Sequence, residues 1–354
     1  MNDVGSGRID HGRRHPRSQG QDADVLRAAQ LYYMQNLTMD AIARELRVSR
    51  STVSRLLGRA RETGVVSFVV NKASSPTPEL ERRLAERYGI TVHAVPTDRE
   101  LSEADVLERV AVHAAGILTR LVGSDMIIGV AWGSTVSAIS RHLKPHPTRG
   151  TVVVQLNGSG NVQSSGIAYA SDILQRFGAA YGARIEQFPV PTFFDDAHTR
   201  ELMWRERSIT RVLDLQRHMG LVLFGLGTVD ADVPSHVYRG GYLTPRDLEE
   251  IRARGVVGDV ATTFFTADGA TDAIELNRRS TGPPLEVLRR VPRRVCAVAG
   301  RSKVPALAAA LGMGLITDLV LDEAAAAELA EIADDRHNDN DNDDGDHGHG
   351  PGSR

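Results

Sequence analysis

Among 354 residues there is one cysteine, there are two tryptophans, and aromatic side chains make up only 5%. A single cysteine excludes a disulfide framework within the chain and fits a reducing compartment. Cys296 itself lies in the apolar run Val295-Cys296-Ala297-Val298, the setting of a small buried hydrophobe rather than of a nucleophile. No apolar run approaches the ~20 residues that span a bilayer. The basic N-terminus (Arg8, Arg13, Arg14, Arg17) has no apolar segment behind it to make a signal peptide. The sequence therefore reads as soluble and cytoplasmic, without a membrane partner. Net charge is nearly absent as well, at −3, so nucleic-acid affinity must come from a local basic patch. Walker loop, zinc-ligand spacing and nucleophile elbow are all missing, and Gly225-Leu226-Gly227 lacks the third glycine of a dinucleotide fingerprint. No cofactor, metal or catalytic residue is expected.

What is present is enough to build a substantial core: 41% hydrophobic residues over a length that calls for two or three domains. The most informative stretch is LTMDAIARELRVSRSTVSRLLGRARETG, from Leu37 to Gly64. Two short helical patterns flank a break at Arg47-Val48-Ser49. Ile42, Ala43 and Leu46 share one face of the first; Val53, Leu56 and Leu57 share one face of the second. Thr38 and Ser49 are placed to cap the two helices. Between Arg44 and Arg61 stand six arginines and one acid, Glu45. This reads as a helix-turn-helix rather than an arginine-solvated helical hairpin; a helix-turn-helix presents the first turns of its second helix to the major groove, where arginine can fork onto guanine. DNA contacts are expected from Thr38, Arg47, Ser49, Arg50, Ser51, Thr52, Ser54, Arg55 and Arg59.

Around this motif, residues 1–21 offer little to bury and read as a disordered basic arm. A bracing helix is expected from Asp22, with Val25, Leu26, Ala29 and Tyr33 on its inner face. The run 65–70 reads as a strand, a wing beside the recognition helix. The winged helix-turn-helix domain thus spans 22–71, and the Pro- and Ser-containing stretch 72–78 is a linker. From Glu79 to Ala333 helices alternate with short apolar strands, at 91–95, 125–131, 151–156, 183–188, 221–224, 294–298 and 315–319. That alternation indicates an α/β domain with a mainly parallel sheet covered on both faces. Residues 334–354, with seven Asp and three His, read as a disordered acidic tail rather than a metal site.

In parallel α/β sheets ligands sit beyond the carboxyl ends of the strands. Four segments place glycine and small polar residues there. Gly133, Ser134 and Thr135 open a helix and can hold an anion, or simply cap the helix. Asn157, Gly158, Ser159 and Gly160 can turn N–H groups inward as a nest, or form a plain loop. Gly225 and Gly227 end another strand, and Asp259, a lone acid in an apolar stretch, can accept bonds from sugar hydroxyls or serve the structure. Gly300 and Lys303 precede a further helix in a phosphate-binding arrangement, or Lys303 is simply a solvated lysine.

Order and spacing of these segments add up to a resemblance. The motifs GVAWGST, LNGSGN, GLGTV, GVVGDVATTFFTADG and AVAGRSKVPALAAALGMGLITDLVLDE, behind the helix-turn-helix, are similar to those of the SorC family of bacterial sugar-responsive regulators. The resemblance covers about Asp22 to Ala333. It implies a winged helix-turn-helix followed by a Rossmann-like effector domain related to sugar-phosphate isomerases, a phosphorylated sugar or polyol as effector, operator DNA as partner, and homodimers or homotetramers. It further implies phosphate contacts at Ser134, Thr135 and Lys303, close approach at Gly133 and Gly300, and contacts to the sugar part from Asp259 and the 158–160 loop. Some members carry a basic loop where this chain has Asn157-Gly158-Ser159-Gly160, which leaves the effector's identity open. The rival reading is an isomerase- or deaminase-like enzyme with a DNA-binding head, with Asp259 as base and His236 as its candidate partner. A constitutive architectural DNA binder is a third, and it leaves the glycine loops unexplained.

Overall fold

The structure, a computed structural model, describes residues 17–35, 37–66, 77–98, 100–229 and 235–343, with side chains from 23 to 334. The chain divides into two compact units, Met1–Ser74 and Ser75–Arg354.

The first unit is built from α1 (Arg17–Ala29), prolonged by one π-helical turn at Gln30–Met34, then α2 (Met39–Leu46) and α3 (Arg50–Glu62). Its core is small: Ala28, Leu31, Ile42, Val53 and Leu57, with Val25, Ala29 and Ala60 beside them. Leu26, expected inside, is 49% exposed, because the buried stripe runs through Val25, Ala28 and Ala29 instead. Helix α1 starts at Arg17, within the stretch expected to be disordered. Once a helix is nucleated by buried residues, each further residue adds a backbone bond at little cost. The expected wing falls largely on residues 67–70, which lie outside the described residues; Val65 and Val66 form a bend.

In the second unit α4 (Thr77–Tyr88) begins inside the expected linker and leads to β1 (Thr91–Val95). There follow α5 (Glu103–Leu121), β2 (Ile127–Val130), α6 (Ser134–Arg141), β3 (Val152–Gln155), α7 (Ile167–Tyr181) and β4 (Arg184–Glu186). The short α8 (Ala197–Met203) and α9 (Arg207–Arg217) precede β5 (Leu221–Gly225). After α10 (His236–Arg239) and α11 (Pro245–Ala253) comes a hairpin of β6 (Val256–Val260) and β7 (Thr263–Thr266). The chain continues with α12 (Glu275–Arg279), α13 (Leu285–Arg289), β8 (Arg293–Val298), α14 (Val304–Gly312), β9 (Asp318–Asp322) and α15 (Glu323–Asp343).

Seven strands form one parallel sheet in the order β1-β9-β8-β5-β2-β3-β4. Alternate residues feed two cores, as the period of a strand requires. Val222 and Phe224 of β5 pack toward α4, α9, α14 and α15, whereas Leu221 and Leu223 pack toward α5, α6 and α7. Burial on both faces explains why the strands read as continuous apolar runs. Strand β9 lies later than the expected 315–319. Its ends are the buried acids Asp318 and Asp322, which look like strand terminators in sequence but are satisfied here. Asp318 accepts from Arg293 at 2.8 Å, and Asp322 accepts the Gly300 and Ala325 N–H groups at 2.8 and 3.0 Å. Helix α15 carries on to Asp343, past the expected start of the acidic tail, for the same reason as α1 starts early; residues 344–354 lie outside the described residues.

The chain runs outward from β2 to β3 and β4 on one side of the sheet. It then returns to place β5 on the other side of β2, and β8 and β9 continue in that direction. The switch in direction between β2 and β5 opens a crevice at their carboxyl ends.

Candidate functional site

Two surfaces carry the residues singled out in the sequence. On the first unit, Thr38 Oγ1 accepts the Ala41 N–H at 3.2 Å and Ser49 Oγ accepts the Thr52 N–H at 3.1 Å, so both act as caps. Arg47 forms the turn between the helices with left-handed angles, φ 54° and ψ 43°. Behind Ser49, the core residues Val53, Leu57 and Ala60 fix one face of α3. The residues Ser51, Ser54, Arg55 and Arg59 occupy the other and are exposed. Thr52 is half-buried, and its hydroxyl receives a hydrogen bond from Arg55 at 3.3 Å; Arg50 stands 3.8 Å from Asp40. The tip of α3 is thus a rigid, capped, cationic face.

On the second unit, Gly133, Ser134, Thr135, Asn157, Gly225, Gly227 and Asp259 come together in one narrow cleft of about 30 Å³, at the switch point between β2 and β5. Gly133 sits at φ 153°, where side chains other than glycine are rare, and its missing Cβ would have met nothing within 4 Å. Conformation rather than crowding therefore requires glycine here. No side chain caps α6, which leaves its first N–H groups directed at the cleft with the positive end of the helix dipole behind them.

The glycines after β5 have the opposite cause. A Cβ on Gly225 would lie 3.1 Å from Thr135, and one on Gly227 would lie 2.0 Å from Asp259 Oδ1. Close approach lets Gly227 and Asp259 exchange two backbone hydrogen bonds of 3.0 Å, an isolated antiparallel bridge. Asp259 is held further by the Tyr238 hydroxyl at 3.1 Å and the Thr262 N–H at 3.0 Å. Burial pushes its carboxyl up to about 6, against the lowering effect of those two donors and of the Lys303 charge. The hairpin tip beyond it, Ala261-Thr262, has φ of 47° and 68° without any glycine. A β-branched residue in that region is strained. Ser280 restrains it by donating to the Thr262 carbonyl at 2.7 Å. Across the cleft, Asn157 is fully buried and its Oδ1 has no hydrogen-bond partner.

The remaining expected residues lie elsewhere. Gly158 offers no free nest: its N–H goes to Thr281 Oγ1 at 2.9 Å and its carbonyl accepts from Trp132 and Thr192. Ser159 and Gly160 line a neighbouring cavity beside α7, and Gly300 lines a third beside α5. Lys303 closes a 3-10 turn before α14 and is only 6% exposed. Burial holds its ammonium below the ordinary lysine range, while the Cys296, Glu103 and Asp259 side chains act to raise it. Residues not foreseen are Trp132, Ser235, Tyr238 and Thr262. His236 belongs to an aromatic group with Tyr169 (4.7 Å), Tyr242 (5.6 Å) and Trp132 (6.0 Å between ring centres). Burial lowers its pKa, so it is a neutral ring packed among aromatics. No group of three or more His, Cys, Asp or Glu that could hold a metal occurs among the described residues, and none of their helices is long and apolar enough to cross a membrane.

Residues 74–331 match the protein family described as "Putative sugar-binding domain". Over 304 residues the chain is 29% identical to the deoxyribonucleoside regulator of Bacillus subtilis, covering 86% of this chain and 96% of that one. A solved domain of a possible sugar-binding transcriptional regulator from Arthrobacter aurescens shares 54% identity, with a TM-score of 0.69 over 73% of this chain and all of that one. The full-length sorbitol operon regulator SorC of Klebsiella pneumoniae aligns over 88% of this chain and all of its own, at a TM-score of 0.65 and 23% identity, a likeness of fold. With a helix-turn-helix ahead of the matched domain, the chain belongs to the SorC/DeoR-type family of transcriptional regulators that carry this sugar-binding domain.

Proposed function

We propose that the protein regulates a carbohydrate or polyol catabolic operon, binding operator DNA through α3 and a phosphorylated sugar or polyol in the cleft between β2 and β5. One observation carries the effector reading: an uncapped helix start beside Ser134 and Thr135, an anion site, opens into the same cleft as two buried oxygens. Those oxygens are the Asp259 carboxylate and the unpartnered Asn157 Oδ1, both of which want hydroxyl donors. The phosphate ester end belongs at α6; the polyhydroxyl end belongs between Asp259 and Asn157. Lys303 acts at one remove, through the charge of Asp259. Occupation of the cleft biases how copies of the chain pair, and an effector that favours one pairing by ~1–3 kcal/mol changes DNA affinity about 5–150-fold.

The test is a thermal-shift screen of the full chain against triose, tetritol, pentose and hexose phosphates and their unphosphorylated parents. A ligand that binds only the native state raises the melting temperature. A rise with a phosphate ester, absent with its parent and absent in Gly133→Val, supports the reading. Equal shifts in wild type and Gly133→Val, or none with any ester, overturn it. Sustained turnover of any ester would favour an enzyme, for which the raised pKa of Asp259 is the one supporting feature.

A further inference from the structure

A second concavity lies on the α9 side of the same sheet. It runs along α9, from the start of that helix past Arg184 at the start of β4 to Ile127 at the start of β2. Four arginines line it: Arg184, Arg205, Arg207 and Arg211. Among the described residues, one buried carboxylate, that of Glu186, answers them. Arg211 forks onto Glu186 at 2.8 and 2.5 Å, and Arg184 pairs with the same group. Asp214, which also lines the groove, is already held by Arg217 at 2.5 Å. Among the described residues Arg205 and Arg207 meet no carboxylate within 4.0 Å, and Glu206, between them in sequence, pairs with neither.

These two free guanidiniums flank the start of α9, which has no side-chain cap. Cations at the positive end of a helix are unfavourable by themselves, and an anion bound there would relieve both the dipole and the mutual repulsion. The floor is apolar, with Ile127 and Leu215, and the volume of about 620 Å³ falls in the range of small-molecule pockets. A concavity with an apolar floor suits a compact ligand rather than a nucleic-acid rod.

We propose that this groove is a second anion site, for a small molecule bearing two or more phosphate groups, distinct from the cleft at the carboxyl ends. Arg205 and Arg207 supply charge not used by the fold, while Arg184 and Arg211 are positioned by Glu186. The site gives the protein an input independent of the sugar-type effector.

The experiment is calorimetric titration of the full chain with inorganic pyrophosphate at fixed ionic strength. It compares wild type, the double variant Arg205→Ala/Arg207→Ala, and Gly133→Val, which strains the backbone at the start of α6 and so perturbs the other cleft. Saturable binding should persist in Gly133→Val and weaken at least about tenfold in the double variant, since a charge-assisted hydrogen bond is worth about that factor. Both arginines are exposed, so an unchanged melting temperature in buffer certifies the fold of the double variant. Absence of saturable binding in wild type, or an equal dissociation constant in the double variant, overturns the proposal. So does a result in which pyrophosphate fails to bind wild type but the double variant loses affinity for random duplex DNA, which would make the groove a contact for the DNA backbone.

Discussion

The helix-turn-helix and the cleft of the α/β unit treat polar groups in opposite ways. Around α3 the hydroxyls and guanidiniums are exposed or half-buried, and the hydrogen bonds they make span two to four residues, as from Ser49 to Thr52 and Thr52 to Arg55. In the cleft Asp259, Asn157 and Thr135 are buried, and two of them have partners from distant parts of the chain: the Tyr238 hydroxyl donates to Asp259, and Asn157 reaches Thr262. The first surface is ready to meet solvent and phosphate without rearrangement. The second is held together by contacts that a small displacement would break.

That contrast can be tested from its strongest consequence downward. Gly227→Val forces a side chain to within 2.0 Å of Asp259 Oδ1, where the neighbours are fixed on both sides. Overpacking of this kind should cost about 3 kcal/mol or more, roughly 6–12 °C in melting temperature. An unchanged melting temperature would show the cleft to be far softer than described.

Asp259 gives the next effect. Its carboxyl stands at about 6 in the folded chain against an ordinary 3.8. Between those values the folded state holds more protons than the unfolded one, so the contribution of Asp259 to stability falls as pH rises from about 4 to about 6 and is level above. The whole change amounts to at most about 3 kcal/mol. Urea unfolding of wild type and Asp259→Asn across that window measures it, and parallel curves would remove Asp259 from the account.

On the exposed side the effects should appear in DNA binding rather than in folding. Arg55→Ala should weaken binding to a selected operator by ~1–3 kcal/mol if it reads a guanine, while the melting temperature stays put. The smallest effect is a gain: Arg47→Gly relieves a left-handed turn and should stabilise the first unit by about 0.5–1 kcal/mol. A loss there would mean that the arginine side chain compensates for its own strain.

The same contrast explains what could be read from sequence. Caps, helix faces and the break at Arg47 depend on near neighbours, and they are visible in the order of residues. So is the sheet, because strands buried on both faces declare themselves as apolar runs. The cleft was legible only as a set of glycines. Sequence gave no means of separating Gly133, which needs its conformation, from Gly227, which needs its missing side chain, or from Gly158, whose N–H is consumed by Thr281. The β6–β7 hairpin was missed because its tip is Ala261-Thr262 rather than the Asn-Gly or Asp-Gly that announces such a turn. Lys303 reads in sequence as a phosphate ligand beside a helix start; its burial and its electrostatic coupling to Asp259 are not visible there.

The bridge between Gly227 and Asp259 has one more consequence. The hairpin β6–β7 forms a sheet of its own, and this pair of backbone hydrogen bonds ties it to the chain leaving β5. Two bonds that share one pair of residues open together or stay closed together. The amide protons of Gly227 and Asp259 therefore form a natural gauge of the cleft: in hydrogen exchange they report a single opening event, and a ligand seated on Asp259 slows both by the same factor.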